Sequence, residues 1–444
     1  MNNLNLEVNS RLIYSFTNSE IYFIPTTKYK TNTITFFFID DLRKETVSKN
    51  AMIPAVLRRG CNKYPSMNEI SLQLENLFGA SFDCGIIKKG EYHVIFFYAE
   101  CISDNYLSQK MKGNNQDDIF HDCIELLIDI ITDPIIENGA FKPDFLKQEK
   151  ENLKRLIKGR INDKVTYAID RCFEEMCKDE PFGIYQYGDI SGLEQVDETN
   201  LYHQYNKLIH NTPLKVFISG NIPKENIDYL KDILITKRAN IIANTNITSS
   251  RDEANNINDN DKNKELKEYN EILDITQAKL SVGFNTNIYP KDQDYYSLLV
   301  CNSILDGGMN SKLFKNIREN AGLAYYIFSQ LEKFKGLYLI SCGIDAQNKE
   351  KTVELILEQI KAIKLGDISK IEYESALKSI ETGINSLKDN QLQVIDYYLV
   401  QLLSKTEDNF DTLLKKVKSV TISDVIKVAK KIEPELVYLL SSKQ

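Results

Sequence analysis

Metal-assisted peptide hydrolysis needs clustered imidazoles and carboxylates, commonly with two of them one turn apart on a helix. The 444-residue chain has four histidines, His93, His121, His203 and His210, and none stands in an HExxH or HxxEH arrangement. His203 and His210 are two helical turns apart, with no carboxylate between them. His93 sits in a strand-like run and His121 in a helical one, which suits structural roles. No Gly-x-Ser-x-Gly elbow marks a nucleophile, and there is no Walker A or dinucleotide glycine pattern. The eight cysteines contain no CxxC pair, so buried free thiols in a reducing cytoplasm are expected. What remains is an arginine and a tyrosine seven residues apart, Arg318 and Tyr325. A guanidinium fork and a directional phenolic donor suit an oxygen that gains negative charge during attack on an amide. Taken alone, a salt bridge from Arg318 to Glu319 or Asp306 and a sheet aromatic at 325 would be the simpler reading.

The surrounding residues reverse that preference. Ser303-Ile304-Leu305-Asp306-Gly307-Gly308-Met309-Asn310-Ser311 leads through Ile317-Arg318-Glu319 and Gly322-Leu323-Ala324 to Tyr325-Tyr326. This stretch closely resembles a signature of the pitrilysin/insulysin peptidases, the family of the inverted HxxEH zinc motif. In that family a helix ends in a Gly-Gly turn and a polar residue caps the next short helix. The resemblance implies that Arg318 and Tyr325 bind substrate or the transition state beside a zinc ion.

The first half resembles the N-terminal domain of the same family through Leu57-Arg58-Arg59-Gly60, Leu77-Phe78-Gly79-Ala80, Pro181-Phe182-Gly183 and Val216-Phe217-Ile218-Ser219-Gly220. Counting back from Gly60 sets the HxxEH motif over residues 51–55. Ala51 and Ala55 then stand for the two histidine ligands and Pro54 for the glutamate that activates water. The distal glutamate ligand falls near Lys147, just before Glu149. Every zinc position is empty, so no metal ligands are expected in this chain. The N-terminal text is most similar to the YmfF-like branch.

These residues must be carried by a regular scaffold. Strand-like runs lie at 33–39, 93–98 and 214–219, and again at 278–284, 324–329, 337–341 and 437–441, by their β-branched and aromatic content. Apolar periodicity predicts helices over 66–78, 120–131 and 143–177, then 294–305, 349–363 and 371–403. A polar run over 240–268 reads as a linker. The expected architecture is α+β: two homologous α/β-sandwich domains in tandem, each a mostly antiparallel sheet packed against helices. Residues 1–239 form the first, with the degenerate zinc motif, and 269–444 the second, with the Arg/Tyr pair.

A net charge of −8 without clustered basic residues argues against nucleic-acid binding. No apolar stretch reaches membrane-span length, and no signal peptide opens the chain, so a cytoplasmic location is expected. The resemblance implies a pseudopeptidase that is no enzyme on its own and needs no cofactor. In bacteria such chains are typically encoded beside a paralogue that keeps HxxEH. That zinc-bearing paralogue is the expected heterodimer partner, with a peptide or small protein as substrate. The alternative is a non-proteolytic scaffold or peptide-binding protein, possibly homodimeric.

Overall fold

Two short strands, β1 (Arg11–Phe16) and β2 (Ser19–Pro25), precede the aromatic run Thr31–Asp41 (β3), where Ile34, Phe36 and Phe38 enter the first hydrophobic core. The computed structural model describes residues 9–107, 118–238 and 266–443. Helices α1 (Val47–Leu57) and α2 (Met67–Asn76) follow, then β4 (Ser81–Lys89), β5 (Tyr92–Ile102) and α3 (Ile119–Thr132). Apolar residues at helical spacing in α3, including Phe120, Cys123, Ile124 and Leu127, bury it in the same core. After α4 (Pro143–Gly159) and α5 (Lys164–Met176), helix α6 (Glu198–Asn211) leads into β6 (Leu214–Gly220).

The second half repeats the plan. Strands β7 (Lys267–Ile272) and β8 (Ala278–Asn285), helix α7 (Tyr295–Asp306), and strands β9 (Ala324–Glu332) and β10 (Leu337–Ile344) are followed by helices and a last strand, β11 (Glu433–Ser441). The first sheet runs β1-β2-β6-β3-β5-β4 and the second β9-β10-β8-β11-β7. Reversing the second order and dropping β1 superposes the two lists strand for strand. In both, the pair next to the corresponding edge is parallel, β2 with β6 and β7 with β11, and every other pair is antiparallel. Matching order and matching sense at every pairing are the mark of a duplicated unit. The helix-to-strand turn repeats too. Gly79 and Gly322 both have positive φ, and in each case the strand begins two residues later.

The units are not consecutive pieces of chain, as the expected division at 1–239 and 269–444 had them. Residues 159–183 group with the second unit and 390–398 with the first. The reading of one helix over 143–177 is corrected accordingly. Helix α4 stops at Gly159, and Asp163 caps α5 by accepting the N–H groups of Val165 and Thr166. Helix α5 then buries Ala168, Ile169, Cys172 and Phe173 against Leu337, Leu339, Leu436 and Tyr438 of the second sheet. Gly283 permits this approach, because a Cβ there would lie 2.3 Å from the Met176 sulfur. The helix expected over 371–403 is likewise two, Lys370–Leu387 and Gln391–Leu403. Most of the expected linker, 240–265, lies outside the described residues, but Lys267 and Glu268 already belong to β7. All eight cysteines are buried, and none is in a disulfide. Among the described residues no helix is long and apolar enough to cross a membrane.

His93 is fully buried in β5, with its Nδ1 3.4 Å from the Asn50 amide, which also donates to Asp40 and accepts from Gln204. Burial pulls the His93 pKa down to about 4. The folded value is thus below the unfolded value of about 6.5, so this stabilisation is complete above that pH and is lost as the imidazole charges on acidification. Lowering the pH from about 7 to about 5 should cost the first unit about 2 kcal/mol in urea denaturation. His93→Gln should flatten that dependence; an unchanged slope would assign it to other groups.

Candidate functional site

The first half of the site is the helix aligned with the zinc motif. Ala51 is buried in the core, Pro54 is buried within α1, and Ala55 is half-buried. Pro54 has no N–H to offer the helix. Its carbonyl accepts from the Arg58 N–H at 3.1 Å and from the Cys84 thiol of β4 at 3.3 Å. No side chain at these three positions can bind a metal or activate water. Among the described residues no group of three or more His, Cys, Asp and Glu is arranged to hold a metal ion.

Lys147 is exposed on α4, in an open groove of about 480 Å³ shared with Arg59, Gln148, Asn152 and Arg155. The carboxylate that α4 does turn inward is Glu149, which is 8% exposed. It accepts from Arg59 Nε at 2.5 Å and from Asn152 at 3.1 Å, while Arg59 Nη1 reaches Gln148 at 2.6 Å. A cation and anion therefore join the end of α1 to α4 beside the degenerate motif. No local pattern marks this pair, whose members are 90 positions apart.

The second half of the site is built by the turn after α7. Gly307 is required because a Cβ there would lie 2.3 Å from the Ser303 carbonyl oxygen. The chain then forms a π-helical turn, Phe314–Asn320, anchored by the fully buried Leu313 and Ile317. Arg318 leaves this turn exposed, with its guanidinium 5.1 Å from the Phe314 ring centroid. It has no ion pair among the described residues, so the salt bridge to Glu319 or Asp306 does not form. Asp306 instead accepts the Ser329 N–H at 2.6 Å, and burial raises its pKa. The turn packs on the start of β9, where Tyr325 lies.

Tyr325 occupies a β-bulge. Ala324 pairs with Ile344 and Tyr326 with Gly343, so Tyr325 is the extra residue. Ala324 and Ile327 both enter the helix-side core, which strict alternation would forbid. The bulge resolves this by turning two consecutive tyrosines to the opposite face. Tyr325 is 59% exposed, and its hydroxyl donates to Asp345 Oδ1 at 3.2 Å, a bond that raises its pKa. The Tyr326 ring lies across Gly343, where a Cβ would sit 2.5 Å from Cε1. Spacing in the sequence found Arg318 and Tyr325, but not Asp345, which lies one strand away, nor the bulge. The Tyr325-Tyr326 doublet was the one local hint of the latter.

Comparisons with known proteins agree with the fold. Residues 195–380 match the family model described as Peptidase M16 inactive domain. The chain is 30% identical over 422 residues to the probable inactive metalloprotease YmfF of Bacillus subtilis, covering 94% of this chain and 95% of that one. It is 26% identical over 162 residues to the uncharacterized zinc protease YmxG of the same organism, covering 36% of this chain and 39% of that one. The crystal structure of a conserved protein from Enterococcus faecalis V583 is similar across 98% of this chain and 99% of that one, with 26% identity and a TM-score of 0.84.

Proposed function

The chain belongs to the M16 peptidase family, in the YmfF-like branch that lacks HxxEH, and from that membership we propose that it is the non-catalytic subunit of a heterodimeric zinc peptidase. As an inactive homologue it has no metal-dependent activity of its own. In the complex it supplies Arg318, Tyr325 and a wall of the peptide-binding chamber to a partner that carries HxxEH and zinc. The observation that carries this reading is an exposed arginine with no carboxylate partner among the described residues, set at the foot of a strand whose bulge presents Tyr325. An arginine kept only for stability would gain from an acid beside it; one kept for an incoming oxyanion gains from having none. The resemblance to both YmfF and YmxG of one organism supports a pairing of two such chains.

The test is reconstitution. The purified chain should carry no stoichiometric zinc and cleave no peptide. Mixed with an HxxEH paralogue from its own source, it should form a one-to-one complex by native mass spectrometry and raise that protein's peptidase rate. A stable homodimer that neither binds nor stimulates the paralogue would sink the proposal and favour a scaffold role.

A further inference from the structure

The face that presents Tyr325 continues across the second sheet, and its next charged group is a lysine. Gly343 is paired with Tyr326 on one side and with Lys279 on the other, so the three form a row across β9, β10 and β8. Neighbouring Ala278 and Leu280 enter the helix-side core, which leaves Lys279 on the same face as the tyrosines. The Tyr326 ring crosses the bare Gly343 toward Lys279, whose ammonium is 5.2 Å from the ring centroid. The ammonium also donates to the Gln277 side-chain oxygen at 2.5 Å.

Lys279 is half-buried and has no ion pair among the described residues. Asp345 and Asp163 lie close enough to act on Tyr325 and Tyr326 respectively, and both are engaged elsewhere. Asp345 accepts the Tyr325 hydroxyl, and Asp163 accepts the backbone N–H groups of Val165 and Thr166 at the start of α5. A half-buried cation without a carboxylate is costly in itself, and burial lowers its pKa accordingly. A ring on one side and a neutral amide on the other hold its position, leaving an anion as the missing partner.

We propose that Lys279 is a carboxylate-binding subsite one row from Tyr325, selecting peptides that carry an acidic group there. The carboxylate is that of an Asp or Glu side chain or of a peptide C-terminus. This rests on the reading of Tyr325 as part of a peptide-binding wall, but it can be tested without the partner's catalysis.

Fluorescent ten-residue peptides with one Glu at successive positions, and their Gln counterparts, are titrated against the purified full-length chain by anisotropy. Gln peptides with a free or an amidated C-terminus form a second arm. Binding should be about 10-fold tighter for the acid of one pair, the value expected of one partly desolvated charge-assisted contact. Lys279→Ala should bring that ratio to about one, Lys279→Glu should invert it, and Lys279→Arg should restore part of it. Preference in the Glu series assigns a side-chain carboxylate, and preference for the free over the amidated end assigns the terminus. Equal affinities for acid and amide, a ratio untouched by Lys279→Ala, or no peptide binding at all would overturn the proposal. The functional reading fails separately, if the chain shows this selectivity yet never stimulates an HxxEH paralogue.

Discussion

Arg318→Ala should lower the stimulated peptidase rate of the reconstituted complex by about 10²–10³-fold, the usual loss when one preorganised oxyanion donor is removed. The loss should fall on kcat, because the group is asked to bind charge that develops only in the transition state. Arg318→Lys should recover little of it, since a point charge lacks the planar fork of donors. Tyr325→Phe deletes a single hydroxyl and should cost a similar factor. Arg318 and Tyr325 are both exposed, so neither variant should shift thermal unfolding or the one-to-one mass of the complex. That separation is what makes the experiment decisive. A variant that still assembles but no longer stimulates has lost chemistry, whereas one that stimulates fully shows the pair to be idle. Uniform weakening of KM at constant kcat would recast Arg318 as a ground-state peptide contact.

The pair at 318 and 325 could be singled out because the signal is local: a Gly-Gly turn, a short helix and a strand start within about twenty residues. The strands of the two cores were legible for the same kind of reason, as runs such as 33–39 and 337–341 are β-branched, aromatic and mostly buried. Strand β7 escaped because it is an edge strand. Its Lys267 and Glu268 read as linker, yet charge is how an exposed edge avoids pairing with other chains. The membership of α5 also escaped. Its amphipathic pattern runs on from α4, and only contacts distant in sequence, such as Phe173 in the core with Leu337 and Tyr438, Met176 over Gly283 and the Arg171–Glu271 ion pair, say which sheet it covers. The Tyr325 bulge depends on which neighbours are buried, which periodicity alone does not report. The degenerate zinc motif is the reverse case. Ala51, Pro54 and Ala55 were placed by counting, but what occupies the ground between α1 and α4 instead of a metal is a contact between distant residues.

That contact carries the second large effect. Arg59→Met should destabilise the first unit by about 3–5 kcal/mol, because Glu149 would be left charged, buried and unpaired. The comparison that isolates the ion pair is Arg59→Met combined with Glu149→Leu, which removes both charges and should return to within about 1 kcal/mol of the natural protein. Urea denaturation gives the totals, and amide exchange over α1 and α4 locates the change, since the two units need not unfold as one. The sign of the double variant matters more than the size of the single one. If restoring an apolar pair restores stability, Arg59 neutralises Glu149 much as a bound cation would, and the α1–α4 connection needs no metal. If the single variant costs under about 1 kcal/mol, water from the adjoining groove already screens Glu149. The connection would then rest on Leu57, Leu146 and Leu153, which share the first core, and the ion pair would be incidental to the loss of zinc.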